Sequence, residues 1–149
     1  MEKEAKVFKY QTPVFDGVKK TILMCSSDLM RVHAQVVKSG GENNLHTHTG
    51  EDAFWLVLSG AVKFYGEGDK VIAELKKHEG ILIPRNFNYW FESASDEPLE
   101  ILRIAARDQN AENKRVNIEA LKPWMVESNR FSLDGQGDHT RDTARLKRW

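Results

Sequence analysis

Short apolar segments separated by glycine, proline and asparagine turns recur from residue 20 to residue 106 and limit the folds open to this chain. The segment 30–38 shows the pattern well, because its apolar and polar residues alternate as they do in a strand with one buried face. In Gly66-Glu67-Gly68-Asp69 the glycines supply the positive φ angles that a tight hairpin requires. About eight or nine strands of this length predict an all-β sandwich or small barrel.

The two ends of the chain differ from this central region. Residues 1–19 show little periodicity and are interpreted as an N-terminal arm that lies over a sheet. Residues 107–149 are predicted to hold a short helix, capped by Asn117 and ending at Pro123, and then an extended, flexible tail rich in glycine and charge. The predicted organisation is therefore an arm, a barrel over residues 20–106, and a C-terminal helix with its tail.

Composition argues against several classes of function. The sequence has 22 basic and 22 acidic residues, so no net charge favours nucleic acid as a partner. No apolar run approaches the roughly 20 residues of a membrane span, and the charged N-terminus lacks the apolar region of a signal peptide. Cys25 is the single cysteine, so an intrachain disulfide is impossible and a reducing compartment is expected. We therefore expect a cytoplasmic protein that binds neither nucleic acid nor membrane.

The stretch 40–60 carries the residues best suited to chemistry. His46 and His48 are two positions apart, so in a strand both imidazoles lie on one face and could bind a single metal ion. The carboxylates of Glu51 and Asp52 follow within a few residues, and a buried strand comes after them. The pattern predicts a site at which two histidines meet a carboxylate.

This stretch resembles the first sequence motif of the cupin superfamily, which is a glycine, a His-x-His pair, a glutamate, and a glycine after a short apolar strand. The second cupin motif is matched in outline between His78 and Ser93, around Pro84 and Tyr89. The resemblance implies the cupin double-stranded β-helix, a jelly-roll barrel, over residues 20–106. It also implies a homodimer, because cupin barrels commonly pair through sheet edges and N-terminal arms.

Two of the four usual cupin metal ligands are absent from this sequence. Both histidines of the first motif are present, but the position of its glutamate is occupied by Ala53 and that of the second-motif histidine by Tyr89. Two imidazoles alone hold a divalent ion weakly, because such ions usually have three or four protein ligands. A carboxylate of the preceding loop, Glu51 or Asp52, could complete the set.

The first functional hypothesis is a small-molecule enzyme with a mononuclear divalent metal. The ion (Fe, Mn, Ni or Zn) would be held by His46 and His48, together with Glu51 or Asp52. It would act as a Lewis acid or oxygen-activating centre, and Tyr89 would supply a proton or a hydrogen bond. The resemblance thus implies a cupin-type dioxygenase, isomerase, cyclase or lyase.

Two alternatives stay open. In one, no metal is bound, and His48, Asp52 and Tyr89 run an isomerase, cyclase or lyase by moving protons next to a carbonyl group. Some sugar-epimerase cupins are similar in using histidine and tyrosine without metal. In the other, the domain binds a small molecule and leaves it unchanged. In every case, side chains near the histidines are expected to line the substrate pocket: Ala53, Trp55, Phe87 and Phe91.

Three further polar residues lie on predicted strands. Arg31 and His33 alternate with apolar residues early in the chain, and Arg103 does so in the last strand. They could supply a cation for an acidic substrate. Solvation at the surface explains them equally well, so the sequence leaves their role open.

Overall fold

Antiparallel strands are the predominant regular structure of the computed structural model, which describes residues 4–128. Within this range the strands and the one helix follow each other in this order: β1 (Lys19–Ser26), β2 (Met30–Val37), β3 (His46–His48), β4 (Glu51–Ser59), β5 (Ala61–Tyr65), β6 (Val71–Lys76), β7 (Gly80–Ile83), β8 (Trp90–Ser93), β9 (Leu99–Arg107), β10 (Arg115–Asn117) and α1 (Pro123–Ser128). A 3-10 turn, Glu67–Asp69, connects β5 to β6. The predicted all-β class is confirmed.

Two sheets enclose the interior. The first has five strands in the order β1-β2-β9-β4-β7. The second consists of β6-β5-β8 and β10-β3, joined by an isolated bridge. In this bridge the N–H of His46 donates to the carbonyl of Tyr89 (3.1 Å), and the N–H of Tyr89 donates to the carbonyl of His46 (3.0 Å). Five strands therefore pack on five, which is the jelly-roll arrangement that the sequence resemblance implies.

The core lies between the sheets and comes from alternate residues of the strands. In β4, Ala53, Trp55 and Val57 are buried, because every second side chain of a strand points to the same face. Trp55 packs edge-on against Phe64 and Phe91, with 5.9 and 5.1 Å between ring centroids. Hydrocarbon and aromatic rings therefore fill much of the interior.

The turn after β7 helps to position the histidine strand. Asn86 has a φ of 64°, the left-handed conformation that asparagine tolerates better than most residues. Its N–H donates to the carbonyl of His48 at 2.8 Å. The backbone of β3 is therefore fixed at its last residue by this turn and at its first residue by the bridge to Tyr89.

The predicted position of the C-terminal helix is wrong. Residues 115–117 form β10 and pair with β3, with Asn117 opposite His46. The helix begins at Pro123, where the prediction ended it, because proline lacks only an N–H that the first turn of a helix leaves unbonded. This helix is not long and apolar enough to span a membrane, nor is any other among the described residues. The predicted tail falls on residues 129–149, outside the described residues.

An irregular segment, residues 4–18, precedes β1 and is largely exposed. Lys38 ties it to the barrel, because its Nζ donates to the carbonyl of Phe15 at 3.0 Å and stands 4.3 Å from the centroid of that ring. A cavity of about 360 Å³ opens between residues 12–15 and the outer side of the barrel. None of the histidines lines this cavity. The division of the chain into arm, barrel and tail stays a prediction.

Candidate functional site

His46 and His48 lie side by side on β3, as their spacing predicts. Their ring centroids are 5.1 Å apart and the ring planes are nearly perpendicular. His46 is 3% exposed, and its Nδ1 is 2.7 Å from the carbonyl oxygen of Asn44. Because a carbonyl can only accept, Nδ1 carries the proton of the neutral ring, and Nε2 keeps the lone pair.

Glu51, the first residue of β4, is the carboxylate beside the histidines. Its Oε1 is 3.3 Å from Nδ1 of His48, an ion-pair distance rather than a well-aligned hydrogen bond. Arg103 donates to the same oxygen, and Nδ2 of Asn113 donates to Oε2 at 2.9 Å. Glu51 is 4% exposed. Both carboxylate oxygens are thus engaged by the protein itself.

Asp52 lies on the opposite face of β4. Its Oδ1 accepts from the backbone N–H of Arg85 at 2.8 Å, and the guanidinium of Arg85 is 3.4 Å away. The side chain of Asp52 is 40% exposed. Successive residues of a strand point to opposite faces, so of the two carboxylates that the sequence offers, the structure brings Glu51 and not Asp52 to the histidines.

Tyr89 faces His46 from the segment just before β8. The two ring centroids are 4.6 Å apart, and Tyr89 is buried. Burial raises the pKa of the Tyr89 hydroxyl, an effect that the neighbouring guanidinium of Arg103 opposes through its charge and a hydrogen bond. At neutral pH the phenol is therefore protonated and can donate a proton or a hydrogen bond.

Both histidines of β3 are neutral at physiological pH. Burial lowers the pKa of His46 well below its usual value, and the positive charge of Arg115 lowers it further. The pKa of His48 is lowered by burial and then by Arg103 and Arg115. Glu51 would favour a charged His48, but its own charge is balanced by Arg103. The two imidazoles can thus act as bases or as ligands.

The predicted pocket residues fall into two groups. Ala53, Trp55 and Phe91 are buried in the interior, next to the histidine end of the barrel. The Trp55 ring lies under the guanidinium of Arg103 at 5.5 Å, and its Nε1 has no hydrogen-bond partner in the described part of the chain. Phe87 lies in the turn before β8 and is 40% exposed. The structure therefore brings three of the four toward the site and leaves Phe87 at the surface.

Arg31, His33 and Arg103 line the interior instead of the surface. All three are buried, and His33 is opposite Arg103 in the register of β2 and β9. Solvation at the surface, one of the two roles that the sequence left open, therefore does not explain these three residues. A signal was present for Arg103, because it alternates with the apolar residues Ile101 and Ala105 and must share their inward face.

Sequence reasoning missed two further cations of the site. Lys19, the first residue of β1, places its Nζ 5.0 Å from the ring centroid of Phe91 and 5.5 Å from that of Trp124. Arg115, on β10, donates to Oδ1 of Asn44 at 2.6 Å. No local pattern marks Arg115, because it reaches the site only when the chain returns beside β3.

The donors around the histidines do not fit a metal ion as they are arranged. Among residues 4–128 no three His, Cys, Asp or Glu side chains are grouped so that they could hold one ion. Glu51, the available third ligand, already binds Arg103 and Asn113. The positive charge of Arg115 acts on both imidazoles, and it would repel a divalent cation at the same place.

An antiparallel jelly roll with paired histidines on a short strand defines a class, the double-stranded β-helix proteins. Residues 33–105 match the family model described as Cupin domain. Residues 33–105 are thus a cupin domain, and the resemblance to the cupin superfamily found in the two motifs is confirmed.

Solved structures share this fold. An RmlC-like cupin protein from Desulfovibrio desulfuricans is 21% identical, with a TM-score of 0.59 over 69% of this chain and 97% of the other. A conserved protein with a double-stranded beta-helix domain from Klebsiella pneumoniae is 19% identical, with a TM-score of 0.62 over 76% and 99%. The DMSP lyase DddQ from Ruegeria pomeroyi is 16% identical, with a TM-score of 0.52 over 64% and 50%. These likenesses show the fold alone. No curated protein matches the chain.

Proposed function

We propose that this protein is an isomerase, cyclase or lyase that moves protons on a small molecule inside the barrel, without a resident metal. One observation carries the proposal: a neutral histidine and a protonated tyrosine are linked through one buried ion pair, Glu51 with Arg103. The histidine is His48, beside Glu51, and the tyrosine is Tyr89, beside Arg103. Of the hypotheses drawn from the sequence, this is the metal-independent one, with Glu51 in the place of Asp52.

The two groups are suited to opposite proton transfers. A carboxylate beside Nδ1 of His48 favours the tautomer in which Nε2 is the base, and a neutral imidazole can accept a proton at physiological pH. Tyr89 stays protonated through burial and can return a proton on another side of the ligand. Arg103 contacts both Glu51 and Tyr89. One guanidinium therefore positions the carboxylate that supports the base and the tyrosine that acts as the acid.

Unpartnered polar atoms support a polar ligand in this space. Such atoms on inward-facing residues include His33 Nδ1, Gln35 Oε1 and Trp55 Nε1, none of which has a hydrogen-bond partner among the described residues. Buried polar atoms are normally paired, and each one left unpaired costs about 1–3 kcal/mol. A small molecule with its own donors and acceptors would satisfy them.

Deuterium exchange tests the proposed proton transfer. Purified protein is incubated in D2O with a panel of small carbonyl compounds, both charged and uncharged, and proton NMR follows exchange at the carbon next to the carbonyl. We expect exchange in at least one compound, and a loss of about 100-fold or more in His48→Gln and in Tyr89→Phe. Tyr65→Phe is the matched control, because the hydroxyl of Tyr65 donates to Glu92 on another strand, away from the histidines.

Two outcomes contradict the proposal. Exchange that is equally fast in Tyr89→Phe removes the assigned acid. A compound that binds tightly and shows no exchange or conversion identifies a binding domain that leaves its ligand unchanged, the third hypothesis from the sequence.

A metal-dependent enzyme is the second candidate, and one observation favours it. The hydrogen bond from Nδ1 of His46 to a backbone carbonyl is the kind of support that metal-ligating histidines usually have. Binding would require Glu51 to leave Arg103 and Asn113. Elemental analysis of protein purified without chelator separates the candidates, since less than about 0.1 equivalents of any transition metal per chain contradicts this one.

A further inference from the structure

We propose that the partly exposed end of the polar interior binds an oxyanion group of the ligand, a carboxylate or a phosphate, through Lys19, Arg103 and Arg115. This inference rests on the proposed function, because it names the substrate class of the same site. Three cations on three separate strands converge there, and Glu51 is the carboxylate that contacts one of them, Arg103.

Lys19 is the cation that is best placed to meet a ligand. Its ammonium group stands against the faces of Phe91 and Trp124, and no carboxylate oxygen of the described residues lies within salt-bridge distance of it. An aromatic face stabilises an ammonium group without using its three hydrogen-bond donors. Those donors are available to an oxyanion, and the two rings beside them suit an apolar portion of the same ligand.

Arg115 is held in a fixed orientation next to this position. Its guanidinium donates to the side-chain oxygens of Asn44 and Asn117, both of which are neutral amides. These contacts fix the orientation of the planar group, and a guanidinium binds carboxylate and phosphate oxygens in a fork geometry. β10 and the segment before β3 therefore present a positioned cation to the polar interior.

Ring contacts and strand register place these cations in one space. The ring of Phe91 beneath Lys19 is 5.1 Å from that of Trp55, which lies under Arg103, and Arg115 is opposite His48 in the register of β10 and β3. The pKa of Lys19 falls to about 7, first through burial and then through the charges of Arg115 and Arg103. The pKa of Arg115 falls to about 10 through burial, and Arg103 contributes. A negative group among them would relieve this mutual repulsion and replace lost hydration.

Calorimetric titration of the whole chain tests the inference. The probes are inorganic phosphate and acetate, titrated separately at low salt in a buffer without other oxyanions, and acetamide is the uncharged counterpart of acetate. We expect one of the two oxyanions to bind and acetamide not to bind, and whichever binds identifies the group. Lys19→Met and Arg115→Gln should each weaken binding about tenfold or more, because each removes a charged hydrogen-bond donor.

Lys20→Met is the matched control, because Lys20 is the next residue of β1 and its Nζ lies over Phe15 on the outer side, 5.7 Å from the ring centroid. It changes the net charge equally and should leave the affinity unchanged. Circular dichroism establishes that each variant is folded. If Lys19→Met does not fold, Arg115→Gln is the variant that is compared with the control. Equal weakening by Lys19→Met and Lys20→Met, binding of acetamide, or no binding of either oxyanion overturns the inference.

This assay does not depend on turnover. If an oxyanion binds through Lys19 and no compound undergoes exchange in D2O, the proposed proton transfer fails and the anion site remains. If exchange occurs on uncharged compounds and neither oxyanion binds, the anion site fails and the proton transfer remains.

Discussion

Glu51 and Arg103 form an ion pair inside the barrel that joins β4 to β9. Both side chains are buried, and Asn113 holds the second carboxylate oxygen of Glu51. Because Glu51 also contacts His48 and Arg103 also contacts Tyr89, the pair positions the proposed base and the proposed acid together. Breaking this ion pair would destabilise the fold mainly because one buried charge would remain without a partner.

Glu51→Ala is expected to lower the free energy of unfolding by about 3–5 kcal/mol, because Arg103 would remain buried and unpaired. Asp52→Ala is the matched control on the opposite face of β4. It should cost no more than about 1 kcal/mol, since its ion pair with Arg85 is exposed. Urea unfolding followed by tryptophan fluorescence gives both values, and equal losses would contradict the inward placement of Glu51.

Acid is expected to destabilise the protein below about pH 6.5, the ordinary pKa of histidine. Burial lowers the pKa of His33, His46 and His48 well below that value in the folded state. The unfolded chain therefore binds more protons in this range. The free energy of unfolding should fall with the pH, by at most about 1.4 kcal/mol per pH unit for each of these histidines.

Urea unfolding between pH 7 and pH 5 measures this dependence. His33→Gln should make the slope shallower, because one buried neutral imidazole is removed. A stability that is constant over this range would show that the three buried rings do not resist protonation.

Gly50→Ala is expected to disturb the site through the backbone. A Cβ at position 50 would stand 2.8 Å from Cα and Cβ of Asn113, and the N–H of Gly50 donates to Oδ1 of the same residue at 3.1 Å. The clash should destabilise the fold by about 1–3 kcal/mol. Gly66→Ala is the control, because its Cβ would meet Ile72 and the carbonyl oxygen of Asn88 at ordinary contact distances, and its effect should stay within about 0.5 kcal/mol. Thermal unfolding compares the two, and equal losses would contradict the close packing at Gly50.

Divalent metals are expected to leave the thermal stability unchanged. A ligand that binds only the folded state raises the melting temperature, so a resident ion would be detected without any assay of activity. The protein is melted with EDTA and with millimolar Zn²⁺, Mn²⁺, Ni²⁺ or Fe²⁺ in turn. A rise with one ion that His46→Gln abolishes would support the metal-dependent candidate instead.

Local periodicity explains which parts of the fold could be predicted. The strands and the shared face of His46 and His48 follow from a repeat of two, which is a property of the segment itself. The same count, taken from the inward position of Ala53, places Glu51 inside and Asp52 outside. The sequence alone was therefore sufficient to choose Glu51 over Asp52 as the inward carboxylate, although both were kept as candidates.

Long-range pairing explains what could not be predicted. Residues 115–117 form a strand only because β3 is beside them, and the pairing brings Arg115 into the site from outside the two cupin motifs. Pro123 was interpreted as the end of a helix, although proline is equally suited to begin one. The homodimer, the N-terminal arm and the tail stay predictions.

The bridge between His46 and Tyr89 has a consequence for how a ligand could enter. The paired strands among the described residues form ladders of three or more residue pairs, whereas β3 and the segment before β8 share one bridged pair and the hydrogen bond from Asn86 to His48. Transient opening of a native protein begins where the fewest bonds must break. An opening beside the reactive side chains would therefore break fewer backbone hydrogen bonds than an opening within the five-stranded sheet.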